Sequence, residues 1–240
     1  MKRFLFLGTV LLILASCGTT TGVVKATKKA GPGVLQNEKV IVFAGAAQRK
    51  NPSMGAYWGQ AFVHILEGGL FSYPIYGAAA IGDFKIGDKT IAEELPALQA
   101  AWIDQFAENF SSAYRRQFGG DAETVPYPFE KKIKLSYFSG ANAAVKSAIS
   151  KLCAENQARY AVGIVTQVVH GTGGGRSMAI GTQIKTEVCV FDSNGKIVAR
   201  GKTATPMLMV QPSSLGSYMQ LYAAGEVNTE SLIGQLAKTK

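Results

Sequence analysis

The 240-residue chain is basic, with 25 Lys and Arg residues against 16 Asp and Glu residues, and 47% of its residues are hydrophobic. Five of the basic residues precede Glu38, which leaves 20 basic and 16 acidic residues in the body of the chain. It has no basic run longer than two residues, such as Arg115-Arg116 or Lys131-Lys132. Because nucleic-acid binding normally needs a dense basic face, this balance argues against a nucleic-acid partner.

The first eighteen residues carry an export signal. Two basic residues precede an apolar run of eleven residues over 4–14, which ends in Leu14-Ala15-Ser16-Cys17. A short apolar run before small residues is typical of a cleaved signal and is too short for a permanent membrane helix. The pattern resembles the signal peptide and lipobox of bacterial lipoproteins. That resemblance implies a signal peptide over residues 1–16 and acylation of Cys17, with several acyl chains giving stable membrane anchoring.

An ordinary secretory signal, with Cys17 near the cleavage point by chance, is the alternative. In some envelope systems an acidic residue after the cysteine retains a lipoprotein in the inner membrane, and Gly18 is not acidic. We therefore expect an outer-membrane lipoprotein that faces the periplasm. Residues 17–37 are predicted to form the lipid anchor and a flexible tether, because they are rich in Gly, Thr and Lys without apolar periodicity. A coil of this length would reach about 25 Å.

The rest of the chain, residues 38–240, is predicted to form one α/β domain with an insertion near residues 51–95. A β-branched run over 39–44 predicts the first strand, and aromatic residues at every fourth position predict a helix over 97–118 that ends at Gly119. Further elements are predicted in this order: a strand at 133–138, a helix at 142–156, a strand at 160–169, a hairpin at 180–191 and 196–200, and helical segments at 214–224 and 229–238.

The predicted order is strand, helix, strand, helix, strand, hairpin strand and helix, which favours a small mixed sheet with helices packed on it. The segments 158–166 and 186–198 carry a buried strand and an alternating hairpin around Asp192-Ser193-Asn194-Gly195. From Lys39 to about Thr205 the chain resembles an envelope α/β family. The family includes the amino-terminal domain of the Tol-system propeller protein, the lipoprotein activators of penicillin-binding proteins and the curli-secretion channel lipoprotein.

The insertion has an unusual composition, because Glu67 is the only charged residue between Asn51 and Gly82. One interpretation is a surface for a partner or membrane, and the other is a helix over 57–66 with a glycine-rich loop packed on the body. In the curli channel, inserted hairpins form a barrel, but strict alternation is absent here. The candidate contact residues are Tyr57, Trp58, Phe62, Phe71, Tyr73 and Tyr76.

No motif for catalysis, a cofactor or a metal stands out. The two histidines, His64 and His170, do not form a paired zinc motif, and the Gly-rich run 171–176 lacks the Gly-Lys-Ser/Thr end of a phosphate loop. Cys153 and Cys189 are predicted to be two separate buried thiols, with a disulfide between them as the alternative in an oxidising compartment.

The sequence therefore favours a non-enzymatic, lipid-anchored module that binds another envelope protein. Its predicted contacts are with the membrane through acylated Cys17 and with an envelope partner. Two alternatives are a homo-oligomeric subunit of an outer-membrane secretion channel and an enzyme whose site is assembled from scattered polar residues.

Overall fold

The fold is taken from a computed structural model that describes residues 23–28, 30–31, 33–47, 85–86, 89–129, 138, 143–170, 180–210 and 215–237. The helices are α1 (Ile91–Phe118), α2 (Ala143–Glu155) and α3 (Leu215–Ala237). The strands are β1 (Val23–Lys28), β2 (Val40–Ala46), β3 (Lys85–Ile86), β4 (Lys89–Thr90), β5 (Ala122–Thr124), β6 (Tyr160–His170), β7 (Ile180–Asp192), β8 (Ile197–Ala204) and β9 (Leu208–Val210). Among these helices, none has both the length and the apolar character that crossing a bilayer requires.

The main sheet is mixed, as predicted. Its strand order is β1-β8-β7-β6-β2-β5, with β9 also paired to β7, while β3 and β4 pair separately. The β2 strand is parallel to β5 and β6, and the pairs β6–β7, β7–β8 and β1–β8 are antiparallel. Helices cover both faces of this sheet, so the predicted α/β fold class is confirmed.

Each face of the sheet has its own apolar core. On one face, the predicted stripe of α1 packs with α3 against the sheet, and Trp102 stacks on Phe106 at 5.1 Å and on Tyr222 of α3 at 4.5 Å between ring centroids. On the other face, α2 buries Val145, Ile149 and Cys153 over an aromatic cluster around Phe43. The hydrophobic periodicity of both helices therefore predicted which side chains are buried.

The predicted hairpin is confirmed as β7 and β8. At its turn, the backbone N–H groups of Asn194 and Lys196 each donate to Asp192 Oδ1 at 2.9 Å, and Gly195 has a φ of +72°. A residue in this left-handed region is most easily glycine, since other residues are strained there. The Asx-Gly turn thus sets the register of β7 and β8.

Several predicted boundaries need correction. The α1 helix begins at Ile91, six residues before the predicted start, and β3 and β4 lie within the predicted insertion. The C-terminal helical segments form the single helix α3. It continues through Gly225, which is buried near Trp102 and Ile184. The predicted strand at 133–138 lies outside the described residues except Phe138, and the short strand β5 was not predicted.

The prediction of a flexible tether over residues 17–37 is wrong for β1. Val23–Lys28 form an edge strand paired to β8, with Val23 opposite Ala204 and Lys25 opposite Lys202. Thr27 Oγ1 also donates to the Arg200 carbonyl at 3.2 Å. Pairing with a strand more than 170 residues away supplies the hydrogen bonds and packing that make this short polar segment ordered.

Candidate functional site

The residues predicted from the sequence to carry function lie outside the described part of the chain. These are Cys17 and the aromatic residues Tyr57, Trp58, Phe62, Phe71, Tyr73 and Tyr76. His64 also lies outside, and His170 is described only through its backbone in β6. The structure therefore constrains these predictions only through the positions of the described residues that adjoin the undescribed segments.

The start of β1 limits how far the sheet can lie from Cys17. Five residues, 18–22, separate Cys17 from Val23. Because consecutive Cα atoms advance by at most about 3.3–3.6 Å along an extended chain, the six steps from Cys17 to Val23 span about 20 Å at most. Any group attached at Cys17 is thus held close to one corner of the sheet.

Several chain segments meet at that corner of the molecule. We call the end of the sheet where β1 begins the anchor end, and the opposite end, at the β7–β8 turn, the far end. Strand pairing places Ala204, Lys185 and His170 at the anchor end, because Val23 lies opposite Ala204, Ala204 opposite Lys185, and His170 opposite Thr182. The predicted aromatic insertion follows Ala47, and Ala47 donates its N–H to the Thr166 carbonyl at this same end.

A charged cluster lies in the sheet near the anchor end. Glu187 of β7 is fully buried and forms ion pairs with two residues of β8, Arg200 and Lys202. The distance from Lys202 Nζ to Glu187 Oε2 is 3.8 Å. The Arg200 side chain is 21% exposed and the Lys202 side chain 48% exposed, so the cluster runs from a buried carboxylate to a solvent-exposed ammonium group.

Cross-strand register extends this cluster to the edge of the sheet. Lys25 lies opposite Lys202, and Lys202 lies opposite Glu187, so their side chains share the face that α2 also covers. Lys185 is two residues from Glu187 on β7 and shares this face as well. The single buried carboxylate offsets only one of these basic groups, which leaves a positive surface beside the anchor end.

The two described cysteines are poor nucleophiles. Both thiols are free and buried, as predicted. Burial raises the pKa of Cys153 to about 11 and that of Cys189 to about 12, and the neighbouring Glu187 carboxylate adds to the effect on Cys189. The Cys189 thiol donates to Glu187 Oε1 at 3.9 Å. Since the thiolate is the reactive form, both thiols are held in their unreactive state near neutral pH.

The other perturbed group also has a structural explanation. Burial raises the pKa of Tyr114 above its usual range, with Glu38 adding to the effect, and its hydroxyl donates to the Leu35 carbonyl at 2.8 Å. Within the described ranges, no three His, Cys, Asp or Glu side chains come together as metal ligands.

The sequence did not predict the Glu187 cluster. Its signal was an acidic residue between β-branched residues in an alternating strand, Thr186-Glu187-Val188, facing the same side as Cys189. An inward-facing acid in a buried strand needs a cationic partner. The register of the β7–β8 hairpin supplies two, with Lys202 directly opposite Glu187 and Arg200 opposite Cys189, diagonally across from it.

Comparison with known proteins gives no family assignment. No protein-family model and no curated protein matches this chain. Among solved structures, a PelC dodecamer from Paraburkholderia phytofirmans is similar at 10% identity and a TM-score of 0.36, covering 91% of this chain and 99% of that one. A neuraminyllactose-binding hemagglutinin homolog from Helicobacter pylori is similar at 9% identity and a TM-score of 0.37, covering 87% and 91%. The lipoprotein GNA1162 from Neisseria meningitidis is similar at 14% identity and a TM-score of 0.30, covering 84% and 99%. Similarity at these scores supports no functional conclusion.

Proposed function

We propose that this chain is an outer-membrane lipoprotein that acts as a non-enzymatic binding or assembly module for another envelope protein on the periplasmic side. The export signal and the sequence Leu14-Ala15-Ser16-Cys17 support the lipid anchor. The ordered α/β body, with covered faces and a basic corner, supports a role in which surfaces rather than reactive groups act.

The observation that carries the proposal is the position of β1. Because only residues 18–22 separate Cys17 from an ordered edge strand, the start of β1 lies within about 20 Å of the anchor. Tethering of this kind raises the effective concentration of the module for a membrane partner, since the second binding event becomes nearly intramolecular. The short connection also restricts the set of orientations from which a partner can be reached.

The non-enzymatic part of the proposal is supported by the chemistry of the described side chains. The thiols of Cys153 and Cys189 are buried with raised pKa values, and Tyr114 is held by a backbone carbonyl. Among the residues that the structure describes, Glu187 is the one buried carboxylate, and it is neutralised by Arg200. Each of these groups thus has a structural role in packing or pairing.

The test combines membrane fractionation with a size measurement. We expect the native chain to fractionate with membranes and the Cys17→Ala variant to leave them. In mild detergent, light scattering on a gel-filtration column should give a monomer or dimer. A large ring that remains embedded without the lipid would contradict the proposal and favour the channel alternative.

The matched control for this test is Cys153→Ala, which removes a cysteine that is buried in the folded body rather than acylated. This variant should remain with the membranes. If it leaves them as Cys17→Ala does, the loss reflects misfolding rather than loss of the anchor.

A further inference from the structure

We propose that the anchor end of the sheet docks on the anionic surface of the bilayer that holds Cys17, with Lys25, Lys185 and Lys202 facing the lipid headgroups. This inference rests on the proposed lipid anchor and adds an orientation: the far end points away from the membrane, towards the partner. The contact surface is defined by these three lysines and by Met207, and we call it the docking corner.

The first argument is the length of chain outside the fold. The anchored residue lies within about 20 Å of Val23. Val23 lies level with Lys185, seven residues before Asp192 at the far-end turn, which is about 24 Å along β7 at about 3.4 Å per residue. With the docking corner on the membrane, the far end therefore stands about 24 Å further out.

The second argument is charge. The charged side chains of β1 and of residues 185–189 and 200–204 are five basic and one acidic, so this part of the sheet has a net charge of +4. The acid is Glu187, which is buried and already paired with Arg200. Lys25 is exposed, and the Lys202 side chain is half exposed. Basic residues beside a membrane anchor are attracted to anionic headgroups.

The third argument is an exposed apolar residue at the same end. Met207 lies between β8 and β9 and is 49% exposed. The β8 strand ends at the anchor end, and β9 begins there, since β9 pairs with residues 180–182 at the start of β7. A flexible apolar side chain beside lysines matches the mixed polar and apolar character of a membrane interface.

The charges at the far end differ from those of the docking corner. There, Lys39 pairs with Glu123 at 3.3 Å, Arg159 pairs with Glu38, and Arg115 lies 3.8 Å from Asp121. These ion pairs offset one another, and at the turn Asp192 offsets one of the two exposed lysines, Lys146 and Lys196, so the far end is less positive than the docking corner. An anionic membrane surface therefore attracts the docking corner more strongly than the far end.

The experiment measures the distance of each end from the membrane. The full, lipidated chain is placed in vesicles of phosphatidylethanolamine and phosphatidylglycerol that contain a headgroup-labelled acceptor lipid. A donor dye is attached at position 207 through Met207→Cys or at position 194 through Asn194→Cys. Cys153 and Cys189 are buried, so labelling is selective. We expect more energy transfer from position 207 than from position 194. Equal transfer, or more from position 194, would overturn the proposal.

Charge is tested with two matched double variants. Lys25→Gln with Lys185→Gln removes two positive charges from the docking corner, whereas Lys146→Gln with Lys196→Gln removes two exposed lysines near the far-end turn. At about fivefold per lysine, the first pair should lower the ratio of docked to undocked protein about twenty-five-fold. The second pair should leave transfer from position 207 unchanged. Equal effects of the two pairs would refute the electrostatic part.

The same samples separate this inference from the proposed function. Flotation of the vesicles reports whether the chain is anchored at all. A chain that fails to float contradicts the lipid anchor and with it the docking. A chain that floats but shows equal transfer from positions 207 and 194 keeps the anchor and overturns the docking alone.

Discussion

Replacement of Glu187 by glutamine should destabilise the folded chain substantially. The carboxylate is fully buried and neutralises Arg200, and glutamine keeps nearly the same volume while removing the charge. Removing one partner of a buried ion pair costs about 3–5 kcal/mol. The Arg200 side chain is 21% exposed and regains part of its hydration, so we expect a loss of about 2 kcal/mol.

The assay is urea unfolding followed by far-UV circular dichroism. In thermal unfolding of a body of this size, followed by the same signal, a loss of about 2 kcal/mol should lower Tm by about 4–8 °C. The urea midpoint should fall while the slope m stays constant, because the same surface is exposed on unfolding. The control is Lys202→Gln, which removes a half-exposed charge 3.8 Å from the same carboxylate. It should cost less than about 1 kcal/mol. The reasoning fails if Glu187→Gln costs less than about 0.5 kcal/mol or if Lys202→Gln costs more than Glu187→Gln.

Three further predictions concern packing and thiol ionisation. A Cβ at Gly201 would lie 2.3 Å from Leu232 Cδ1, so Gly201→Ala should cost about 1–3 kcal/mol in urea unfolding, and clearly less in a Leu232→Ala background; equal costs in both backgrounds would refute this contact. Trp102→Ala should cost about 3–5 kcal/mol, because the indole stacks between α1 and α3, and a loss below about 1 kcal/mol would contradict that packing. Burial raises the pKa of Cys189 from 9.0 to about 12, so the folded state holds this proton more tightly than the unfolded state does. The resulting stabilisation is fully present below about pH 9 and is lost as the pH rises towards 12. The unfolding free energy of the native chain, measured relative to that of Cys189→Ala, should therefore fall over that range. A difference that rises with pH would contradict this prediction.

Elements specified by local patterns were predicted well. The β7–β8 hairpin follows from alternation on both sides of an Asx-Gly turn, and α1 and α2 follow from apolar residues on one helical face. In each case the residues that decide the structure are within a few positions of one another. The buried side chains Trp102, Phe106 and Ile149 were accordingly predicted from periodicity alone.

Elements that depend on distant partners were missed. The β1 strand has only six residues and is ordered by pairing with β8, which follows far along the chain. The three-residue strand β5 similarly depends on its parallel neighbour β2. The two predicted helical segments at 214–224 and 229–238 form one helix, because α3 packs across the sheet and continues through Gly225 between them. Tertiary packing here outweighs local propensity.

The candidate site shows the same contrast between features set by local sequence and features set by distant strands. Cys17 was predicted from a contiguous motif, whereas the Glu187 cluster needs the register of three strands. Alternation along β7 is typical of a strand with one buried face. In the structure both faces are buried, because α2 and its neighbours pack on the second one. A buried acid in such a strand is the sequence signal that should prompt a search for its cationic partner.

The most direct test of the account is mass spectrometry of the amino-terminal tryptic peptide from the membrane fraction. The account predicts a mature chain that begins at Cys17 and a peptide ending at Lys25 that carries acyl chains on that cysteine. A mature chain with an unmodified Cys17, or a chain that begins elsewhere, would contradict the lipid anchor and the membrane-tethered module built upon it.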